Sequence, residues 1–102
     1  MKRGMSGAVG ELSASIALMR NGYDVYRAQS PHAPFDLIAH KDGVLLRVEV
    51  RVVARRKDGS VSPATKPGDQ CDLYAFVDAD GVVEFAQPEA ARGDRRIRRG
   101  GL

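Results

Sequence analysis

The sequence predicts a single α+β domain in which one helix covers one face of a mixed β-sheet. Three observations support this fold class. An early segment repeats apolar residues at intervals of three and four, later segments alternate apolar and polar residues, and two Asp-Gly dipeptides separate pairs of apolar strands. A chain of 102 residues suits one domain with a modest core. The predicted order is helix, strand, hairpin, loop and hairpin.

The helix is predicted from about Gly7 to Asn21. Ser6 is a suitable N-cap, and Asn21-Gly22 is a typical C-terminal stop. Spacings of three and four place four apolar residues in one stripe, which is typical of a helix face that packs on a sheet: Val9, Leu12, Ile16 and Met19.

A short strand, "YDVYRA", and a loop, "QSPHAP", lead to "FDLIAHKDGVLLRVEVR", which we interpret as a hairpin. Asp42-Gly43 accepts the positive φ angles of a two-residue type I′ turn. If these two residues form the turn, the numbers of paired residues sum to 85. Asp36 then lies directly opposite Glu49.

The segment after this hairpin, "ARRKDGSVSPATKPGDQ", has no period and is predicted to be a long loop. "CDLYAFV" and "VVEFAQ" form a second hairpin around Asp80-Gly81. Asp69 lies just before this hairpin and Asp72 lies at the start of its first strand, and both are expected to bind turn amides. We predict a domain over residues 1–88 and a basic tail over residues 89–102.

Two acidic residues are predicted to meet on the first hairpin. Period two places Asp36 and Glu49 on one face with Arg47 and Arg51, whereas Leu37 and other apolar residues take the core face. Like charges at directly opposed positions destabilise a sheet. Either a divalent cation or an ordinary ion network with the two arginines can compensate them. The residue pattern alone leaves both explanations open.

Basic residues point to a phosphate-rich partner. Arg55, Arg56 and Lys57 follow the second strand directly, and Arg27 ends the first. The tail segment "RGDRRIRRGGL" adds five Arg against one Asp. Clusters of this kind displace the counterions of a nucleic acid backbone. We therefore predict nucleic acid binding by the four named residues, whereas an Arg-rich tail alone is equally typical of a solvated chain end.

The sequence also excludes several classes of protein. Cys71 is the single cysteine, so neither an internal disulfide nor a cysteine-based zinc site can form. No apolar run approaches the ~20 residues of a membrane span, and the N-terminus lacks the apolar segment of a signal peptide. We expect a cytoplasmic protein without a membrane partner.

Residues 4 to 53 resemble the PD-(D/E)-x-K nuclease superfamily, in particular the archaeal-type Holliday junction resolvases and their small bacterial relatives. Three segments carry the resemblance: "GAVGELSASIALMRNGYDVYR", "APFDLIAHKDG" and "LLRVEVR". The resemblance implies a restriction-endonuclease-like αβββαβ core. It also implies hydrolysis of DNA phosphodiesters with Mg²⁺, for which Mn²⁺ can substitute.

The resemblance assigns roles to individual residues. Asp36 and Glu49 correspond to the principal metal ligands, and Glu11 corresponds to a helix-one acid that completes the metal site. Ser30 occupies roughly the place of a loop serine near the scissile phosphate. Arg51 stands at the lysine position of the catalytic set. A homodimer acting on branched DNA is also implied.

Two departures from the family pattern stand out. The Pro-Asp pair is replaced by Pro34-Phe35-Asp36, and the motif lysine is replaced by Arg51. A guanidinium stabilises phosphate charge but does not accept a proton at neutral pH. The alternative is therefore a catalytically inactive nucleic-acid-binding module on the same fold. An interaction protein with an acidic binding face is a third reading.

Overall fold

The computed structural model describes residues 3–62, 65–66 and 68–93. The helices and strands in chain order are α1 Arg3–Arg20, β1 Asp24–Arg27, β2 Leu37–Lys41, β3 Val44–Val52, β4 Leu73–Val77, β5 Val83–Ala86 and α2 Pro88–Gly93. The five strands form one mixed sheet with α1 packed against it, so the predicted α+β fold class is confirmed. Within the described residues, no helix has the length and apolarity needed to cross a membrane.

The strands follow their chain order across the sheet, β1-β2-β3-β4-β5. Neighbouring strands are antiparallel except β3 and β4, which are parallel. A parallel pair requires a crossover connection, here residues 53–72, which we call the crossover. The αβββαβ order places a helix in this connection. The described residues of the crossover instead form turns and an isolated bridge between Arg55 and Val61.

The β2–β3 hairpin has the register that its turn predicts. Asp42 and Gly43 both have positive φ, 51° and 78°, as a type I′ turn requires. The ladder runs from Lys41 opposite Val44, next to the turn, to Leu37 opposite Val48. This register fixes the face to which every side chain of β3 points.

Helix α1 packs on the sheet through a row of Gly10, Ala14 and Leu18. Ala14 and Leu18 are fully buried against the apolar face of β2, β3 and β4. A Cβ atom on Gly10 would lie 3.0 Å from Val52 Cγ2, so glycine permits a close approach of helix and strand here. The predicted stripe of Val9, Leu12, Ile16 and Met19 lies on the opposite side, with each residue 38–58% exposed. The expectation that this stripe faces the core is wrong, because small residues control the contact.

A second apolar cluster covers the other face of β4 and β5. Tyr74 and Phe76 are fully buried there and stack with ring centroids 5.4 Å apart. Val61 and Cys71 of the crossover and Ala91 of α2 pack against them. Because Ala91 is buried, the folded domain extends beyond residue 88. The remainder of the predicted tail, residues 94–102, lies outside the described residues.

Candidate active site

Asp36 is held at the start of β2 with its carboxylate directed toward β3. Its backbone amide donates to the carbonyl of Val48 at 3.0 Å. Its side-chain oxygen Oδ2 accepts the amide of Val50 at 2.8 Å. The carboxylate thus accepts a β3 amide in the way that a strand carbonyl normally does, and this places it next to Glu49.

Glu49 lies on the same face and is only 8% exposed. Its carboxyl group shares a hydrogen bond with Asp36. Burial, followed by that hydrogen bond and the charge of Asp36, raises the pKa of Glu49 to about 7, although the nearby Arg51 charge acts to lower it. The predicted convergence of the two acids is therefore present in the structure.

Arg51 projects from the same face of β3 and joins this pair to the crossover. Its Nη1 donates to Glu49 Oε1 at 2.6 Å, and its Nη2 donates to Asp69 at 3.0 and 3.2 Å. The guanidinium therefore stands between one acid of the pair and one acid of the crossover.

Glu11 and Ser30 border a cleft that reaches Asp36. Glu11 Oε1 lies 3.3 Å from Nε of Arg27, so it pairs with the end of β1. The Ser30 hydroxyl accepts the amide of His32 at 3.3 Å. The cleft has a volume of about 250 Å³ and its walls come from α1, β1 and the following loop: Glu11, Arg27, Ala28, Gln29, Ser30, Pro31, Ala33, Phe35 and Asp36.

The donor set at this site consists of carboxylate oxygens, which are the ligands that Mg²⁺ and Mn²⁺ prefer. Within the described ranges, no three acidic, His or Cys side chains lie close enough together to form a metal cluster. Asp36 and Glu49 converge, whereas Glu11 stands apart on the cleft. This arrangement suits Mg²⁺, which is commonly held by one or two carboxylates with water and phosphate oxygens completing its shell.

Arg55 does not lie where the sequence prediction of a DNA contact requires. Its side chain is 16% exposed, and it donates to Asp78 at 2.5 Å and to Glu84 at 2.7 Å. A further hydrogen bond joins it to the carbonyl of Gly59. Because Glu84 is fully buried, Arg55 neutralises internal charge and holds the crossover on the sheet. Its assignment as a nucleic-acid-binding residue is therefore corrected.

The other three predicted DNA-binding residues lie on the surface. Arg56, Lys57 and Arg27 are exposed, and we call these three the exposed basic residues. Arg56 is hydrogen-bonded to Ser60 and Ser62 within the crossover. Arg27 borders the cleft that contains Asp36.

The comparisons with known proteins agree with this architecture. The sequence profile of the PD-(D/E)XK endonuclease family matches residues 1–67. The chain belongs to the PD-(D/E)XK endonuclease family. A solved structure, that of the bacterial homing endonuclease I-Ssp6803I, shares the fold with a TM-score of 0.75 at 13% identity, over 95% of this chain and 76% of that one. Curated proteins give no match.

Membership of the PD-(D/E)XK family allows the site residues to be compared with the family's motif. Endonucleases of this family generally use divalent metal ions. Glu49-Val50-Arg51 lies on β3 within the matched range, and its sequence resembles the (D/E)-X-K element with arginine in the third position. The match includes Asp36 and Glu11, whereas Asp69 lies beyond its end.

Sequence reasoning missed the side-chain partners of two acids near the start of β4. Asp72 accepts the backbone amide and the guanidinium of Arg47 at 2.8–3.0 Å. Asp69 accepts the Lys66 amide, as expected of a turn residue, but also Arg51 and the Tyr74 hydroxyl. The spacing between β3 and β4 could not reveal these pairs, because the crossover that joins them has no sequence period.

Proposed function

We propose that this PD-(D/E)XK protein is a metal-dependent DNA endonuclease that hydrolyses phosphodiester bonds. The observation that carries the proposal is the convergence of the Asp36 and Glu49 carboxylates on one face of the sheet. Two ionised acids in contact repel each other, and we assign Asp36 and Glu49 to the metal-binding acids of the family. Mg²⁺ is the proposed ion, and Mn²⁺ substitutes for it.

Within this proposal, Asp36 and Glu49 hold the metal directly, and Glu11 adjusts the site from the wall of the cleft. A bound Mg²⁺ supplies a Lewis acid that polarises a phosphate oxygen and lowers the pKa of water. Arg51 offers positive charge to the scissile phosphate. It does not act as the proton acceptor, because a guanidinium stays protonated. Ser30 contacts the DNA strand from the loop that borders the cleft.

The proposed substrate is DNA recognised by shape, with branched molecules such as four-way junctions as the preferred form. The support is the three exposed basic residues, Arg27, Arg56 and Lys57, whose long cationic side chains suit contacts to phosphates. Phosphate contacts position a protein without reading base sequence. We therefore propose cleavage that is structure-selective rather than sequence-specific.

We also propose that the protein acts as a homodimer. The outer stripe of α1, formed by Val9, Leu12, Ile16 and Met19, supports this. These residues recur at alternating spacings of three and four, as in the a and d positions of paired helices. The flanking positions Ser13 and Ser15 are small and uncharged, so a second copy of the helix can approach closely.

The test of the endonuclease is cleavage of a labelled four-way junction and a linear duplex of the same sequence, with Mg²⁺, Mn²⁺ or EDTA. We expect metal-dependent products from the wild type and at least a ~100-fold loss in Asp36→Asn. Asp24→Asn, which changes an exposed acid on β1, is the matched control and should cleave normally. Activity that survives in Asp36→Asn would remove Asp36 from the site.

One observation favours a second candidate, a DNA-binding module that does not cleave. The Arg51 guanidinium engages both Glu49 and Asp69, which limits its reach toward a phosphate. This candidate requires salt-sensitive DNA binding with no product under any metal. Restoration of cleavage by Arg51→Lys would identify an enzyme that lost its chemistry through this substitution.

A further inference from the structure

We propose that Asp69 is a positioning residue for the candidate active site. Anchored by Tyr74, it fixes the guanidinium of Arg51 in the orientation that faces Glu49. The inference rests on the proposed function for its catalytic consequence, because Arg51 occupies the third position of the (D/E)-X-K element. Asp69 itself contributes charge and geometry through Arg51 and does not contact the reacting atoms.

Asp69 is held by more than the arginine that it contacts. Its Oδ2 accepts the Tyr74 hydroxyl at 2.6 Å and the Lys66 amide at 2.9 Å, in addition to Arg51 Nη2. The Asp69 side chain is 12% exposed. Burial acts to raise its pKa, but the hydrogen bonds from Tyr74 and Lys66 and the charge of Arg51 together hold the pKa of Asp69 below its ordinary value. The carboxylate is therefore ionised and constrained when it meets the guanidinium.

Tyr74 gives this anchor its rigidity. It is fully buried on β4, and it is the direct register partner of Glu49 on β3. Its ring stacks on Phe76 with an angle of 8° between the planes. The hydroxyl that holds Asp69 is thus fixed relative to the carboxyl that Arg51 also contacts. Hydrogen bonds thus link Glu49 to Arg51, Arg51 to Asp69, and Asp69 to Tyr74. Tyr74 in turn lies opposite Glu49 on the neighbouring parallel strand.

The simultaneous contacts of residue 51 with Glu49 and Asp69 require a guanidinium. Arg51 uses Nη1 for one carboxylate and Nη2 for the other, which matches the planar, forked geometry of arginine. A lysine ammonium is a single compact charge on a flexible stem and cannot hold both contacts in this geometry. Arg51 and Asp69 are therefore a matched pair, and the arginine in the motif is accompanied by an acid of the crossover.

The chain offers a control of the same chemistry outside the site. Arg47 and Asp72 form a two-pronged ion pair between β3 and the segment before β4, with distances of 3.0 Å. Their side chains are more exposed, at 45% and 35%. Asp72→Asn therefore removes an arginine–carboxylate pair between the same two regions without touching Arg51.

The direct test is the rotation of the Arg51 guanidinium, measured by ¹⁵N-detected NMR of arginine side chains in the full-length protein. The Arg51 signals are assigned by their loss in Arg51→Lys. We expect Asp69→Asn to speed rotation of the Nη groups by about tenfold or more, since a charge-assisted hydrogen bond is lost. Tyr74→Phe, which leaves Asp69 in place, should speed it by a smaller factor. Asp72→Asn should leave the Arg51 signals unchanged.

Cleavage kinetics test the consequence of that positioning. Asp69→Asn should lower kcat by roughly 10- to 100-fold with KM for the junction unchanged, because misplacing a catalytic group costs rate more than binding. Unchanged rotation in Asp69→Asn overturns the inference, and so does altered rotation with unaltered kcat. If the wild type does not cleave but rotation responds to Asp69, the endonuclease proposal fails while the assignment of Asp69 to Arg51 stands.

Discussion

Asp36 and Glu49 share a hydrogen bond between the start of β2 and the middle of β3, where Glu49 is buried and Asp36 is half-buried. Burial and the neighbouring Asp36 carboxylate raise the pKa of Glu49, which favours its protonated form when no metal is present. The same closeness makes the pair suited to a dication. Under the proposed function, a proton and a metal ion compete for this location, so metal binding depends on pH.

The first prediction concerns stability and pH without metal. The folded pKa of Glu49, about 7, lies above its ordinary value of 4.5. Between pH 4.5 and 7 the native state therefore binds more protons than the unfolded state. The stabilisation that Glu49 contributes is complete below about pH 4.5 and disappears as pH rises through 7. We expect the free energy of unfolding in EDTA to fall by roughly 1–3 kcal/mol from pH 5 to 8 through this group. Urea titrations at several pH values measure it.

Glu49→Gln is the control for this pH dependence. It keeps a neutral side chain at all pH values, so the decline between pH 5 and 8 should become shallower by the same amount. Mg²⁺ should oppose the decline in the wild type, because it binds the ionised carboxyls. An equal slope in wild type and Glu49→Gln would show that another group controls the transition.

The second prediction concerns the internal role of Arg55. Arg55→Ala leaves Asp78 and the fully buried Glu84 without their principal counter-charge. Breaking a buried ion pair from one side typically costs ~3–5 kcal/mol. We expect a loss of this size in chemical denaturation. Lys57→Ala, two residues along and exposed, should change stability by less than about 0.5 kcal/mol; similar losses in both variants would contradict the internal role.

The third prediction concerns DNA affinity. Removing Arg56 and Lys57 together should weaken binding at low salt and reduce the slope of log affinity against log salt by up to about 2, since each phosphate contact contributes ~0.9. Fluorescence anisotropy with a junction and a duplex at several salt concentrations measures this slope. The change should be the same for both DNAs. An unaltered slope would place the phosphate contacts elsewhere.

The fourth prediction concerns assembly. The double change Leu12→Glu and Ile16→Glu places charge in the outer stripe of α1 at exposed positions, so the fold should persist while the dimer dissociates. Sedimentation velocity gives the oligomeric state, and circular dichroism reports the fold. Leu45→Glu, an equally exposed apolar position on β3, is the control and should remain dimeric. A monomeric wild type would end the dimer proposal.

The sequence predicts the parts of this fold that local chemistry determines. Asp42-Gly43 selects its turn type and hence the register, and the register alone brings Asp36 to Glu49. The helix was predicted correctly as an element, but its buried face was not. The large apolar residues of α1 indicate one face, whereas the close contact at Gly10 and Ala14 selects another. Patterns of hydrophobicity do not record how closely two backbones approach.

The site was predictable where it depends on one hairpin and not where it depends on the crossover. Arg55 was assigned to DNA because it stands in a basic run, although its partners Asp78 and Glu84 lie more than twenty residues away. Asp69 meets Arg51 for the same long-range reason. Pairings of this kind follow from the parallel arrangement of β3 and β4, which sequence periodicity does not specify.

The parallel pairing of β3 and β4 also determines when this site comes into existence during folding. The β2–β3 hairpin forms from residues close in sequence, so the two acids can meet early. Asp69 and Tyr74 arrive only after a connection of some twenty residues has closed. A chain that has folded its first half but not its second therefore presents an acidic surface without the ordered guanidinium. Under the proposed function, the candidate active site is therefore complete only when the whole domain has folded.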